Sequence, residues 1–312
     1  MMKKILYSGL LFVGAAISLS SCVKETGVAT APTFESFLKS QPNLSIFSAA
    51  LQKAQLETFV NGPGPFTWII PTDEAFQTAM VTIDSLNRMT PGQANYLVQY
   101  HIINSLVRKI DMVAQNSFPR GTQLGTTTAG NVYFGQLADS FYINGSNIIS
   151  IDNKVTNGVV HIINRLNIPP NLKGNLQAVL NNTGLHSLFI AALNRASRWA
   201  LLSGTSAFTI FAPTDVAMTA AGYTTATIAT TPVTRMDSVV RYHMFSGPRL
   251  FTNDIGNSTT PGTFLGPAKT LSGSMNGKKI KGAGNASPID IIKSDILGTN
   301  GVIHIINGVL RY

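Results

Sequence analysis

The sequence predicts an α+β protein in which a unit of helices followed by strands occurs twice in tandem. The first observation is a repeat: residues 45–76 and 187–218 align without a gap at an offset of 142, and 13 of the 32 aligned positions are identical. The second is a change along each copy, because apolar residues at helical spacing come first and β-branched residues follow. Helices segregated from strands in this way are typical of α+β folds and not of alternating βαβ units.

The repeat also predicts the domain organisation. Each copy spans about 140 residues, which is an ordinary size for a single domain. We expect copy one over residues 33–168 and copy two over residues 171–312. The boundary is expected at Pro169 and Pro170, since proline cannot continue a helix or a central strand.

The first half of copy one carries the helix signals. Residues 44–56 and 94–103 have the apolar spacing of amphipathic helices. Between them, residues 66–70 (FTWII) predict a short buried strand that ends at Pro71. Thr72 is expected to cap the following helix, with Asp73 at the positive end of the helix dipole, and Thr214 and Asp215 repeat this pair in copy two.

The second half carries the strand signals. Residues 141–149 (FYINGSNII) contain the Asn-Gly pair of a tight β-hairpin, and a last strand is predicted over residues 159–163. In copy two we match this hairpin with residues 274–278 (SMNGK). That match leaves 24 residues from Asn276 to Asn300, against 13 from Asn144 to Asn157. It therefore predicts a surface loop around residues 277–288.

The N-terminus predicts export and lipidation. Lys3 and Lys4 precede an uncharged apolar run that is shorter than the ~20 residues of a spanning helix, so residues 1–21 are expected to be a secretory signal. Residues 19–22 (LSSC) resemble the bacterial lipobox, and Cys22 is the only cysteine in the chain. We therefore expect Cys22 to be lipidated, with residues 22–32 as a tether. Val23 after this cysteine favours the outer membrane.

The composition restricts the partners. Charged residues make up 12% of the chain, about half the ~25% of ordinary soluble proteins. Loss of residues 1–21 lowers the formal charge from +9 to +7, and no run of Lys or Arg exceeds two residues in what remains. This argues against a nucleic-acid partner. The scattered positive charge favours anionic glycans or membrane surfaces without locating a site.

Three motifs, present in order in both copies, resemble those of the fasciclin domain. FTWIIPTDEAF (66–76) and FTIFAPTDVAM (208–218) resemble its first motif, two Tyr-His pairs resemble its central motif, and NGVVHIIN (157–164) and NGVIHIIN (300–307) resemble its closing motif. The resemblance implies two tandem fasciclin-like domains, each a wedge-like β-sandwich with several α-helices. It also implies roles in adhesion or matrix contact without established catalytic residues. Asn164 and Asn307 depart from the family, which has Asp there.

The repeated histidines are the candidates for chemistry. A zinc site needs three or four ligands in a compatible arrangement, and the chain has no HExxH and no HxH. General acid–base catalysis would need a carboxylate placed nearby. We expect His161 and His304 to be buried, hydrogen-bonded parts of the architecture, and we predict no catalytic residue, metal or cofactor.

The central motif offers the candidate contacts with a partner. On the resemblance, these are Tyr100 and His101 in copy one and Tyr242 and His243 in copy two. The alternative, that these side chains are packed in the core, is equally expected from their aliphatic neighbours.

The sequence thus predicts a lipid-anchored protein of the cell envelope, in the outer membrane and exposed at the cell surface. Its predicted role is adhesion or surface interaction, without catalysis, through a surface or matrix protein or a polysaccharide. The alternative is an envelope accessory protein that binds a glycan or small ligand in support of uptake. A concave aromatic pocket would favour the alternative, and a flat surface across both copies would favour adhesion. An enzyme would require a polar cleft with perturbed ionisable groups.

Overall fold

The computed structural model describes residues 30–112, 118–122, 130–247, 249–256 and 258–312. The expected signal, the lipidation site Cys22 and the tether as far as residue 29 lie outside these residues. Within the described ranges, no helix combines the length and the apolar character needed to cross a membrane.

Copy one begins with helices and ends with strands. Its helices are α1 (Phe34–Lys39), α2 (Ser45–Lys53), α3 (Glu57–Val60), α4 (Asp73–Thr78), α5 (Ile83–Arg88), α6 (Pro91–Gln99) and α7 (Lys109–Met112). Its strands are β1 (Phe66–Pro71), β2 (Ile102–Ile103), β3 (Phe118–Gly121), β4 (Asn131–Leu137), β5 (Ser140–Ile143), β6 (Ser146–Val155) and β7 (Gly158–Ile163). A short 3-10 helix at Pro170–Leu172 leads into copy two.

Copy two repeats this order. Its helices are α8 (Leu176–Thr183), α9 (Ser187–Arg195), α10 (Asp215–Ala220), α11 (Thr225–Thr230), α12 (Val233–Tyr242) and α13 (Thr252–Ile255). Its strands are β8 (Phe208–Pro213), β9 (Met244–Ser246), β10 (Leu271–Ser274), β11 (Lys279–Gly282), β12 (Ile289–Gly298) and β13 (Gly301–Ile306). The predicted α+β class with helices and a sheet in each of two tandem units is confirmed.

Each copy has one sheet in which the last strand lies beside the first. The strand orders are β2-β1-β7-β6-β5-β4-β3 and β10-β11-β12-β13-β8-β9. The pairs β1–β7 and β8–β13 are parallel, and the other pairs are antiparallel. In these parallel pairs His161 lies opposite Ile69 and His304 opposite Phe211. The closing motif is thereby placed in the centre of each sheet.

The helices cover one face of each sheet and bury its apolar side chains. In copy one, Phe34 stacks on Trp68 of β1 at 3.9 Å between ring centroids, and both rings are buried with Phe47 and Phe76. Burial of side chains of this size is the main favourable contribution to folding. A second apolar cluster contains residues of β4 and β5 together with Phe251, Leu297 and Val302 of copy two, so both copies share this part of the core.

Three local predictions are confirmed and two are wrong. Asn144 and Gly145 both have positive φ, 52° and 72°, as a tight hairpin with these residues requires, and they join β5 to β6. Thr72 accepts a hydrogen bond from the Ala75 N–H and caps α4, and Thr214 caps α10 in the same way.

The helix predicted over residues 94–103 instead ends at Gln99, because Ile102 and Ile103 pair with β1 as a strand. The hairpin match in copy two is also wrong. Residues 275–278 join β10 to β11, and β11 pairs with β12 as β5 pairs with β6. The counterpart of Asn144-Gly145 is therefore the longer turn after β11, and part of the predicted loop is strand β11.

Candidate functional site

His161 and His304 tie each closing strand to two other segments. The Nε2–H of His161 donates to the Val107 carbonyl at 2.7 Å, and its Nδ1 accepts from the Asp152 N–H at 3.2 Å. His304 makes the equivalent pair of bonds, to the Leu250 carbonyl and from the Asp295 N–H. Both rings are fully buried, and burial lowers the pKa of both imidazoles. They are neutral groups, and both nitrogens of each ring are hydrogen-bonded. Their role is therefore structural.

His101 and His243 follow the helices α6 and α12. Their Nδ1–H groups donate to the carbonyls of Leu97 at 2.9 Å and Val239 at 2.8 Å. Burial lowers the pKa of each to about 4. In copy two the Leu310 N–H donates to His243 Nε2 at 2.9 Å. The same nitrogen of His101 has no hydrogen-bond partner within the described residues, which is a local difference between the copies.

The neighbouring tyrosines link the same helices to the strands. Tyr100 Oη donates to the Asn131 carbonyl at 2.8 Å and accepts from Asn144 Nδ2 at 3.2 Å. Tyr242 Oη donates to the Thr270 carbonyl at 3.0 Å and accepts from a backbone N–H at 3.1 Å. Burial raises the pKa of both phenols.

The four candidate contact residues are thus part of the interior. Tyr100, His101, Tyr242 and His243 are at most 1% exposed. A partner could touch them only by opening the core, so the surface-contact role expected from the resemblance is not retained in the proposal below.

Asp73 and Asp215 have a role beyond the helix dipole. The carboxylate of Asp73 accepts from the Ser45 N–H at 3.2 Å, the Ser45 hydroxyl at 2.7 Å and the Ile46 N–H at 2.8 Å. Asp215 accepts from the Ser187 hydroxyl and the Leu188 N–H, both at 2.7 Å. Each carboxylate therefore caps the start of a second helix, α2 or α9, which precedes it by almost 30 residues.

The contact between the copies centres on Arg165 and Asp295. The Arg165 Nη2 donates to Asp295 Oδ2 at 3.0 Å and to the Asn144 carbonyl at 2.9 Å. Asp295 is fully buried and also accepts from the Thr252 N–H and hydroxyl, both at 2.8 Å. The charge of Arg165 and the hydrogen bond from the Thr252 N–H outweigh the cost of burial and hold the pKa of Asp295 below its ordinary value. We call this arrangement the junction.

The sequence did contain a signal for the junction. At the offset of 143 that relates the closing motifs, Asp295 matches Asp152, but Arg165 matches Gly308. An arginine present in only one copy cannot be required by the shared fold. A comparison of the two copies for such differences, rather than for identities, would have included Arg165 among the candidates.

A cavity of about 660 Å³ lies beside the junction. Its lining includes the basic residues Arg165, Lys173 and Lys293 and the acidic residue Asp295. Its other lining residues are Ala75, Thr78, Ala79, Met80, Asn144, Leu166, Asn167, Ile168, Leu172, Val179, Asn182, Thr183, Leu185, Ser294, Ile296, Leu297 and Ile305. Within the described part of the chain, no group of three or more His, Cys, Asp or Glu is arranged to hold a metal ion.

Comparison with known proteins reveals distant relatives. The chain is 25% identical to mouse stabilin-2 over 272 residues, which cover 86% of this chain and 10% of stabilin-2. It is 26% identical to human periostin over 186 residues, 59% of this chain and 21% of periostin. It is 23% identical over 300 residues to a fasciclin-like arabinogalactan protein of Phaeosphaeria nodorum, 91% of this chain and 89% of that protein. The chain thus spans about a tenth of the length of stabilin-2.

A solved structure and a family model also match. The structure is a FAS1 domain pair from the insect cell adhesion molecule fasciclin I, which covers 86% of this chain and 96% of its own at 20% identity, with a TM-score of 0.40. The family model of the fasciclin domain matches residues 42–169 and 184–312. Because this model accounts for most of the chain in two consecutive matches, the protein belongs to the fasciclin domain family.

Proposed function

We propose that this protein is a lipid-anchored adhesion or surface-interaction protein of the cell envelope that works without catalysis. Fasciclin domains are associated with cell adhesion and surface interaction. Cys22 would carry the lipid, with residues 22–32 as tether, residues 33–168 and 171–312 as the two domains, and the outer membrane as location. The partner would be a cell-surface or matrix protein or a polysaccharide.

The observation that carries this proposal is the junction. Arg165 and Asp295 bond the two domains directly, and Phe251, Leu297 and Val302 pack into the core of copy one. A binding surface on each domain, held in a constant arrangement by the junction, would add avidity for a partner whose sites repeat. A non-catalytic role is supported by the use of the repeated histidines, which are buried and donate to backbone carbonyls, and burial lowers the pKa of each.

The uptake alternative receives less support. It was expected to require a concave aromatic pocket, and the cavity beside the junction is lined by aliphatic, polar and cationic residues without an aromatic side chain among those described. A sugar ring would have no aromatic face to stack on there. For this reason adhesion is placed first.

The proposal is tested by locating the protein and measuring attachment in the same strains. We expect protease added to intact cells to digest the wild-type protein, and Cys22→Ala to release it from the membrane fraction. A periplasmic protein serves as the control for envelope integrity. We then expect attachment between cells, or to a surface, to fall in a deletion strain, to return with the wild type and not with Cys22→Ala. Protection of the wild type until the outer membrane is broken would exclude direct cell–cell adhesion.

A further inference from the structure

The cavity beside the junction has the size of a ligand site. Its volume of about 660 Å³ falls in the middle of the roughly 300–1,000 Å³ that pockets for small molecules occupy. It is bordered by α4 and the segment after β7 in copy one, and by α8 and β12 in copy two. Residues far apart in the sequence therefore meet around one half-open cavity.

The charges in the cavity are unbalanced. The one carboxylate, Asp295, is already bonded to Arg165 and to Thr252. Lys173 and Lys293 line the cavity, and their ammonium groups have no hydrogen-bond or ion-pair partner in the part of the chain that the structure describes. Two cationic groups therefore remain available beside a neutralised pair.

Lys173 experiences this imbalance most strongly. Its side chain is partly buried, and burial together with the charges of Lys293 and Arg165 lowers its pKa to about 8. A desolvated ammonium without a counter-ion is unfavourable. A negative charge placed between these groups would restore the lost solvation and offset their repulsion.

The remaining walls are largely aliphatic. Leu166, Ile168 and Val179 line the cavity, and Leu185 and Met80 lie in its wall with 46% and 87% of their surface exposed. Exposed aliphatic groups next to free cations match a ligand with a charged end and a hydrocarbon body, since each part then finds a suitable surface.

We propose that this cavity binds a small organic anion, an aliphatic carboxylate whose head contacts Lys173 and Lys293 and whose chain lies against the aliphatic wall. This inference goes beyond the adhesive role and does not depend on it.

The test is a calorimetric titration of the mature chain with three probes at pH 7. Octanoate has both charge and chain, octan-1-ol has the chain without the charge, and acetate has the charge without the chain. We expect octanoate to bind at least about tenfold more tightly than either of the others, because octan-1-ol lacks the contact with the lysines and acetate lacks the contact with the aliphatic wall. Equal binding of octanoate and octan-1-ol, or of octanoate and acetate, would overturn the proposal, as would the absence of octanoate binding at millimolar concentration.

Variants then test the assigned residues. Lys173→Gln and Lys293→Gln are each expected to weaken octanoate binding about tenfold, while Lys278→Gln, an exposed lysine outside the cavity, leaves it unchanged. Thermal unfolding is measured alongside, and Lys173→Gln is expected to be at least as stable as the wild type because it removes an unpaired charge. Unchanged octanoate binding in the double variant Lys173→Gln/Lys293→Gln would refute the assignment of the head group. Adhesion is measured on cells, so failure here leaves that proposal intact.

Discussion

Arg165 in copy one and Asp295 in copy two form an ion pair at 3.0 Å although 130 positions separate them in the chain. The carboxylate is fully buried and the guanidinium is one-third exposed. Removal of the arginine would leave a buried charge with Thr252 as its donor. The pair therefore makes the stability of each domain depend on the presence of the other.

For Arg165→Met we expect a loss of about 2 kcal/mol in the free energy of unfolding, which is the order of a hydrogen bond to a charged group. Urea denaturation provides the measurement. Part of the loss should return in Arg165→Met/Asp295→Asn, because the buried charge is then absent. Asp152→Asn is the matched control, since Asp152 holds the equivalent position in copy one and bonds to the Lys109 N–H there. A wild-type stability for Arg165→Met would contradict the role of the junction.

Alanine substitutions at Gly145 and Gly184 distinguish the cost of close packing from the cost of an unfavourable backbone conformation. Both have positive φ, +72° and +65°, but a Cβ on Gly145 would lie 2.4 Å from the Asp295 Cγ, whereas one on Gly184 would meet nothing within 4 Å. Gly184→Ala should therefore cost only about 1 kcal/mol of left-handed strain. Gly145→Ala should cost clearly more, because it also forces the copies apart at the junction. Equal losses in thermal unfolding would show that the close approach has no energetic weight.

Asp73 is expected to stabilise copy one through α2 as well as through its own helix. Asp73→Ala should lower the free energy of unfolding by about 1 kcal/mol, the usual effect of losing a helix cap. Glu74→Ala is the control, because Glu74 lies in the same first turn of α4 and is exposed. It should cost less than about 0.5 kcal/mol, in the range of a dipole effect alone. If chemical denaturation gives both variants the same stability, the cap on α2 is unimportant.

The buried histidines predict a loss of stability in mild acid. The pKa of His101 and His243 falls from 6.5 to about 4 on folding, so the unfolded chain binds more protons between these values. Stability should be complete above about pH 6.5 and decrease as the pH falls towards 4, by ~1.4 kcal/mol per pH unit for each histidine.

This slope can be measured by urea denaturation at several pH values. The double variant His101→Phe/His243→Phe should show a shallower dependence, whatever its stability at pH 7. The lowered pKa of Asp295 places its contribution at lower pH, where the loss follows protonation of the carboxylate. An unchanged slope in the double variant would exclude these two histidines as its source.

Local patterns predicted much of each domain. The Asn144-Gly145 turn and the Thr72 and Thr214 caps depend on neighbouring residues alone, and a short sequence window contains everything that they need. The end of α6 does not, because Ile102 and Ile103 leave the helix to pair with β1, more than 30 residues earlier in the chain. Tertiary pairing overrides helical spacing at this point.

Local sequence patterns do not predict the candidate cavity, because it too depends on tertiary packing. Lys173 follows the boundary between the copies, Lys293 lies on β12 and Arg165 follows β7. Each is an unremarkable surface residue in its own segment, and only the packing of one copy on the other brings them together.

In copy two, the Asn276-Gly277 turn resembled the turn of copy one closely enough to be matched with it, although strand pairing places it one hairpin earlier.

The parallel pairing of β1 with β7, and of β8 with β13, also determines when each sheet can be completed during synthesis of the chain. β1 lies between β2 and β7, so its apolar residues have one open edge until a segment about 90 residues later has been made. A chain that is still being synthesised cannot complete its first sheet before residues 158–163 have emerged from the ribosome. Each copy can therefore become compact only after nearly its whole length has been made.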